Sequence, residues 1–167
     1  PDPTGIEVVD AARLLIEHQQ WSEALQLLRP ALQDAPSARA AGLAHLYTAV
    51  VLAESAAAGP AADKAEAHFQ QALAHLADAP ASDRYRAHNN YANFLLVGAQ
   101  DRLYNFSFQA ATGVRNPLLE ALQRWQGARD HYTTALQLAA NLPPHQQAAV
   151  EVNLARTHVL LADLLRT

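Results

Sequence analysis

The side chains of this chain that could do chemistry are amides and guanidiniums. Arg86, Asn89, Asn90 and Asn93 fall close together, and Asn153 with Arg156 recurs near the C-terminal end. An asparagine amide offers two donors and an acceptor, enough to hold the backbone of an extended peptide whatever its side chains. A nearby arginine adds a partner for a carboxylate, often two-pronged. Asn89 and Asn93 are four apart and so share one helix face. The same amides could instead cap helices, bridge neighbouring helices or face solvent, Asn90 above all, because it sits beside a packing pair.

Signals for catalysis and cofactors are missing from the sequence. There is no cysteine, which excludes disulfides, thiolate nucleophiles and Cys-ligated metals. The eight histidines include no pair at i, i+4 and no HExxH. His68 and His75, seven apart on one face, have no acidic third ligand nearby. Surface histidines are therefore expected, and no metal site. Serines are sparse and none lies in a nucleophile-elbow context. Asp63/Glu66 and Glu7/Asp10 read as helix-start charges that complement the dipole. With six glycines in all, no phosphate-cradling loop is visible. The expectation is a protein that is not an enzyme and takes no cofactor.

The chain has 167 residues, 50% apolar and 17% charged, enough for one domain with a real core. Its formal charge is −4 and its cations are scattered, which argues against nucleic acid and against a basic membrane patch. No apolar run approaches the ~20 residues of a membrane span, and no signal peptide is visible, so a cytoplasmic location is expected. The chain begins at Pro1 and has no methionine, and it reads as part of a longer protein. Its Ala-rich, Lys-poor composition fits a bacterial source.

Alanine and leucine dominate, and no sustained period-2 alternation occurs, so the class is all-α. Pro36-Ser37, Gly59-Pro60, Pro80-Ala81-Ser82, Asn116-Pro117 and Pro143-Pro144 punctuate the chain. They predict helices near 5–18, 21–34, 37–55, 62–78, 82–99, 117–141 and 145–166. Thr4 and Glu7 predict a capping box for the first. Short links between helices of this length make antiparallel neighbours.

Three ungapped segments repeat: WSEALQLLRPAL (21–32), ADKAEAHFQQAL (62–73) and WQGARDHYTTAL (125–136). Each places an alanine (Ala24, Ala65, Ala128) four before a bulky residue (Leu28, Phe69, Tyr132). A second alanine follows three later (Ala31, Ala72, Ala135). Those offsets put all three on one helix face, where alanines let a neighbour approach and the bulky residue fills the gap. Trp21 and Trp125 extend the stripe. The intervening helices carry a second pattern, HNNYANFLL (88–96) against EVNLARTHV (151–159), with large–small pairs Tyr91-Ala92 and Leu154-Ala155.

This alternation resembles the tetratricopeptide repeat family. The first interval, Ala24 to Ala65, is 41 residues, longer than the family's usual ~34. It is similar to the long-helix repeats of kinesin light chain, as is the NNYAN stretch. The resemblance implies one domain over 1–167, a right-handed superhelix of antiparallel helix pairs. Repeats would lie near 5–36, 37–80 and 82–143, with an insertion near 99–123 and an unpaired final helix at 145–166. In the second repeat the small position of the first helix is either Ala44, with Tyr47, or Ala49. The resemblance also places Arg86, Asn89, Asn90, Asn93, Asn153 and Arg156 toward a concave groove. It implies a protein or peptide partner bound there, without catalysis. Two other readings stay open: a peptide-sensing module of a larger regulator, and a self-association scaffold with Leu154, Leu161 and Leu165 in need of cover.

The stretch DRLYNFSFQAATGVRN (101–116) falls in the insertion. Tyr104, Phe106 and Phe108 together would form a sticky patch if exposed. Either they fold back onto the stack or they anchor a partner, as aromatic hot spots do.

Overall fold

A computed structural model of the chain describes residues 4–55, 60–104 and 117–164. Among these residues there are seven helices and no strand: α1 (Ile6–Glu17), α2 (Trp21–Gln33), α3 (Ala38–Ser55), α4 (Pro60–His75), α5 (Ala81–Tyr104), α6 (Pro117–Ala139) and α7 (Pro144–Leu164). Prolines open α4, α6 and α7, where a missing N–H costs nothing because the first turn has no intrahelical acceptor. By its internal contacts the chain divides into two units, residues 1–87 and 88–167, with the division inside α5.

In the first unit α3 is the central element. It packs against α1, α2 and α4, and nine of its residues from Ala40 to Val51 are buried on all sides. Its small residues make this possible. Gly42 lets α4 come so close that a Cβ there would lie 2.6 Å from Leu76 Cγ. Ala24, Leu28 and Ala31 of α2 and Ala65, Phe69 and Ala72 of α4 are all buried, as their shared spacing predicts.

The start of α1 differs from expectation. Gly5 is its N-cap at φ 71, with no side-chain cap, and Thr4 Oγ1 accepts the Ile6 N–H at 3.4 Å. A Cβ at Gly5 would also meet Pro36 Cγ at 2.7 Å. Pro36 therefore packs against the turn at Gly5. The other end of α1 closes with Gln20 N–H donating to Leu15 O and Gln19 N–H to Ile16 O, both at 2.9 Å. That is the Schellman pattern, with Gln19 in the left-handed region at φ 58.

In the second unit α6 carries Ala128, Tyr132 and Ala135, each fully buried. It packs against α7, and Trp125 Nε1–H donates to Thr157 O at 2.5 Å. The helix α5 runs five residues past its predicted end. Gly98 costs a helix only about 1 kcal/mol, and the neighbouring Ala99 is fully buried. The Arg102 guanidinium also donates back to Gly98 O at 3.2 Å. The large–small pair of α5, Tyr91-Ala92, is buried. Its counterpart in α7 is not: Leu154 is half-buried and Ala155 exposed. The buried line of α7 instead includes Val150 and Thr157, seven apart and so on one face.

Candidate functional site

The amide-bearing face lies on α5 and α7, within the second unit. Asn153 Nδ2 donates to Asn89 Oδ1 at 3.5 Å, joining the two helices across 64 residues of sequence. Both side chains are half-buried. The bond uses one donor and one acceptor, and the Asn89 Nδ2–H groups and the Asn153 Oδ1 take no part in it. A peptide unit presents the complement, one C=O and one N–H.

Asn93 is engaged differently. Its Oδ1 accepts the Tyr132 hydroxyl at 2.5 Å, so this amide is tied to the packing of α5 on α6. Burial pushes the Tyr132 phenol up to about 12, opposed by the Arg156 guanidinium. The hydroxyl thus stays protonated as a donor over the whole physiological range. Arg156 itself is exposed on α7, and Asn90 is half-buried.

Arg86 belongs to the first unit and is partly committed there. Asp83, nearly fully buried, pairs with Arg39 Nε at 2.6 Å and with Arg86 Nη1 at 3.7 Å. Arg86 also faces Tyr47, whose hydroxyl is pushed up by burial and drawn down by the guanidinium. Asp83 lies in the first turn of α5, where the helix dipole favours a carboxylate. Phe106 and Phe108 lie outside the described residues. Of Tyr104 the backbone alone is described, as the last residue of α5.

Sequence reading missed the histidines. Four are exposed, but His45, His68, His88 and His131 are half-buried and meet in two pairs. In the first unit His45 Nδ1 and His68 Nδ1 are 2.8 Å apart. The second unit holds His88 Nδ1 and His131 Nδ1 at 2.9 Å. Ring centroids are 5.0 and 5.1 Å apart, and both pairs are tilted by 40°. Burial, helped by His68 and His75, lowers His45 from 6.5 to about 4. Burial also lowers His68. It lowers His131 too, against an opposing pull from Asp130. The available signal was positional: His68 and His131 each follow the first stripe alanine by three residues, and each directly precedes the bulky residue.

Beside the first pair lies an open depression of ≈ 160 Å³ lined by His45, Lys64, Ala67, His68 and Gln71. Among the described residues no group of three or more His, Asp or Glu side chains is placed to hold a metal ion. No described helix is long and apolar enough to cross a membrane. Comparison with protein-family models, with curated proteins and with solved structures gives no match.

Proposed function

We propose that the chain is a stack of tetratricopeptide-like helix pairs that binds an extended peptide or protein segment, without catalysis, along the amide face of α5 and α7. Three features support the repeat reading. All nine stripe positions of α2, α4 and α6 are buried. The hairpins α3–α4 and α5–α6 carry the same imidazole bridge at the same place in the stripe. That correspondence aligns His45 with His88, and so Ala49, rather than Ala44, with Ala92. Partners also run in opposite senses along α5 and α6: His88 meets His131, a Cβ on Gly127 would meet Leu95, and Arg102 meets Glu120. Antiparallel pairs of this kind, stacked in a right-handed superhelix, are what the reading implies.

The observation that carries the binding proposal is the Asn89–Asn153 bond. It holds two amides side by side on α5 and α7, and the Asn89 Nδ2–H groups and the Asn153 Oδ1 take no part in it. The test begins with peptides selected from a displayed random library on the intact chain. Affinity is then measured by fluorescence polarisation for Asn89→Ala and Asn153→Ala. Each substitution removes one hydrogen bond to the guest, worth about 0.5–1.5 kcal/mol, and should weaken binding roughly 2- to 10-fold. Selected peptides that bind both variants as tightly as the parent chain would end the proposal.

A second reading has its own observation. Val152 and Val159 of α7 are seven apart and 60% and 63% exposed, so a two-residue aliphatic strip faces outward. The leucines expected to need cover do not supply it, since Leu154 and Leu161 are half-buried; Leu165 lies outside the described residues. Self-association through this strip predicts a dimer in light scattering that Val159→Glu abolishes. A monomer at high concentration removes the idea.

A further inference from the structure

We propose that the two imidazole pairs are matched proton-sensitive clasps: when neutral they hold α3 to α4 and α5 to α6, and when charged on both rings they force each pair of helices apart. The two bridges have nearly the same length and the same 40° tilt. They join residues 23 and 43 apart in sequence, so chain proximity does not explain either. A bridge between two Nδ1 atoms needs one ring with Nδ1–H and one with a bare Nδ1. One added proton leaves the bridge intact, because an imidazolium N–H can still donate to a neutral ring. A second proton sets two N–H groups and two positive charges against each other at under 3 Å, and the contact fails. Release therefore requires both rings to charge, which makes it steeper than the titration of one histidine.

The surroundings differ between the clasps. At the first, His75 of α4 stacks on His45 at 5.6 Å and 9°, and Lys64 lines the adjoining depression. No carboxylate lines that depression, and none of its lining residues comes from α1 or α2, which also pack on α3. Of these two neighbours, Lys64 is cationic and His75 becomes so on acidification. The opening lets water deliver the protons without prior unfolding. At the second clasp, the Tyr91 ring of α5 lies 4.6 Å from His131 and Asp130 favours its protonation. Arg156 of α7 acts on the adjacent Tyr132. The depressed values of His45, His68 and His131 fix the sign. The neutral rings belong to the folded form, so their contribution is complete above about pH 6.5 and is lost as pH falls below it, for His45 down to about 4.

On the binding reading above, the second clasp sits on the same hairpin as Asn89, and acid would weaken peptide capture; the clasps themselves do not depend on that reading. The experiment uses the intact chain, with chelator present. Long-range ¹H–¹⁵N spectra at pH 7.5 should show one Nδ1–H tautomer within each pair. Urea unfolding at pH 7.5 and 5.0 should then show the folded-to-unfolded ratio falling about tenfold more in the parent chain than in His45→Gln/His88→Gln. Nε2–H tautomers in all four rings, or equal pH dependence of the two chains, would overturn the proposal. Should the double variant not fold, the tautomers of the parent chain decide alone. Loss of peptide binding with the tautomers intact would count against the amide face and leave the clasps standing.

Discussion

Replacing Gly42 by alanine tests how closely α3 and α4 approach. In an isolated helix the change is favourable by about 0.5–1 kcal/mol, because glycine loses more backbone freedom on folding. Here the new Cβ would sit 2.6 Å from Leu76 Cγ, 2.8 Å from its Cδ2 and 3.1 Å from His75 Cβ. Carbon atoms rest at about 3.5–4.0 Å, so something must move by about 1 Å. Leu76 is 1% exposed and has nowhere to swing, which leaves the α4 backbone to retreat. Overpacking of this kind costs about 1–3 kcal/mol, and after the propensity gain a net loss of about 1–2 kcal/mol is expected. Two other glycines calibrate the result. At Gly127 the only close atom among the described residues is a terminal methyl of Leu95, at 3.1 Å, and Gly127→Ala should be near neutral. The nearest atoms to Gly98 are those of the half-exposed Arg124 side chain, at 3.2 and 3.3 Å. That side chain lies over the Phe94 ring, so its displacement offsets the propensity gain and Gly98→Ala should also be near neutral. Urea melts followed by far-UV circular dichroism read all three, at roughly 0.5 M in midpoint per kcal/mol. If Gly42→Ala is as stable as the parent chain, the close approach of α3 and α4 is refuted.

Two further substitutions probe polar contacts that sequence alone does not reveal. Arg39→Ala strands the Asp83 carboxylate, whose side chain is 2% exposed, with Arg86 at 3.7 Å as its remaining ion pair. It should cost about 2–3 kcal/mol, whereas Arg13→Ala at the exposed pair with Glu17 should cost under about 0.5 kcal/mol; equal effects in urea melts would contradict the burial argument. Tyr132→Phe leaves Asn93 without its hydroxyl donor and should lower stability by about 1–2 kcal/mol. Asn93→Ala should do the same, and the double variant should lose less than the sum, because both remove one bond.

Much of the fold was legible because helical packing is written in offsets of three and four. The alanines at 24, 65 and 128, and the bulky residues four later, are buried as their spacing requires. Pattern reading failed where the outcome depended on a distant neighbour. No local pattern shows that Gly5 opens α1 at φ 71 with Pro36 packed against it. Ala155 matches Ala92 in sequence, yet the face of α7 that meets α6 is the one carrying Thr157, so Ala155 is exposed. Asn89 and Asn93 look alike on their helix. One bonds to α7 and the other to the α6 tyrosine, because four residues turn about 40° past a full helical turn and advance about 6 Å along the axis. The histidines looked scattered, as no two are local partners.

The sequence by itself determined the class, most breaks between helices and which small and large residues of α2, α4 and α6 would be buried, since those follow from local propensity and the period of the helix. Only the tertiary structure decided which polar groups meet: His45 with His68, His88 with His131, Asp83 with Arg39, Asn89 with Asn153. Hydrophobic burial is non-directional and needs only the right face. A hydrogen bond needs two particular atoms within about 3 Å, and that depends on the register of one helix against the next.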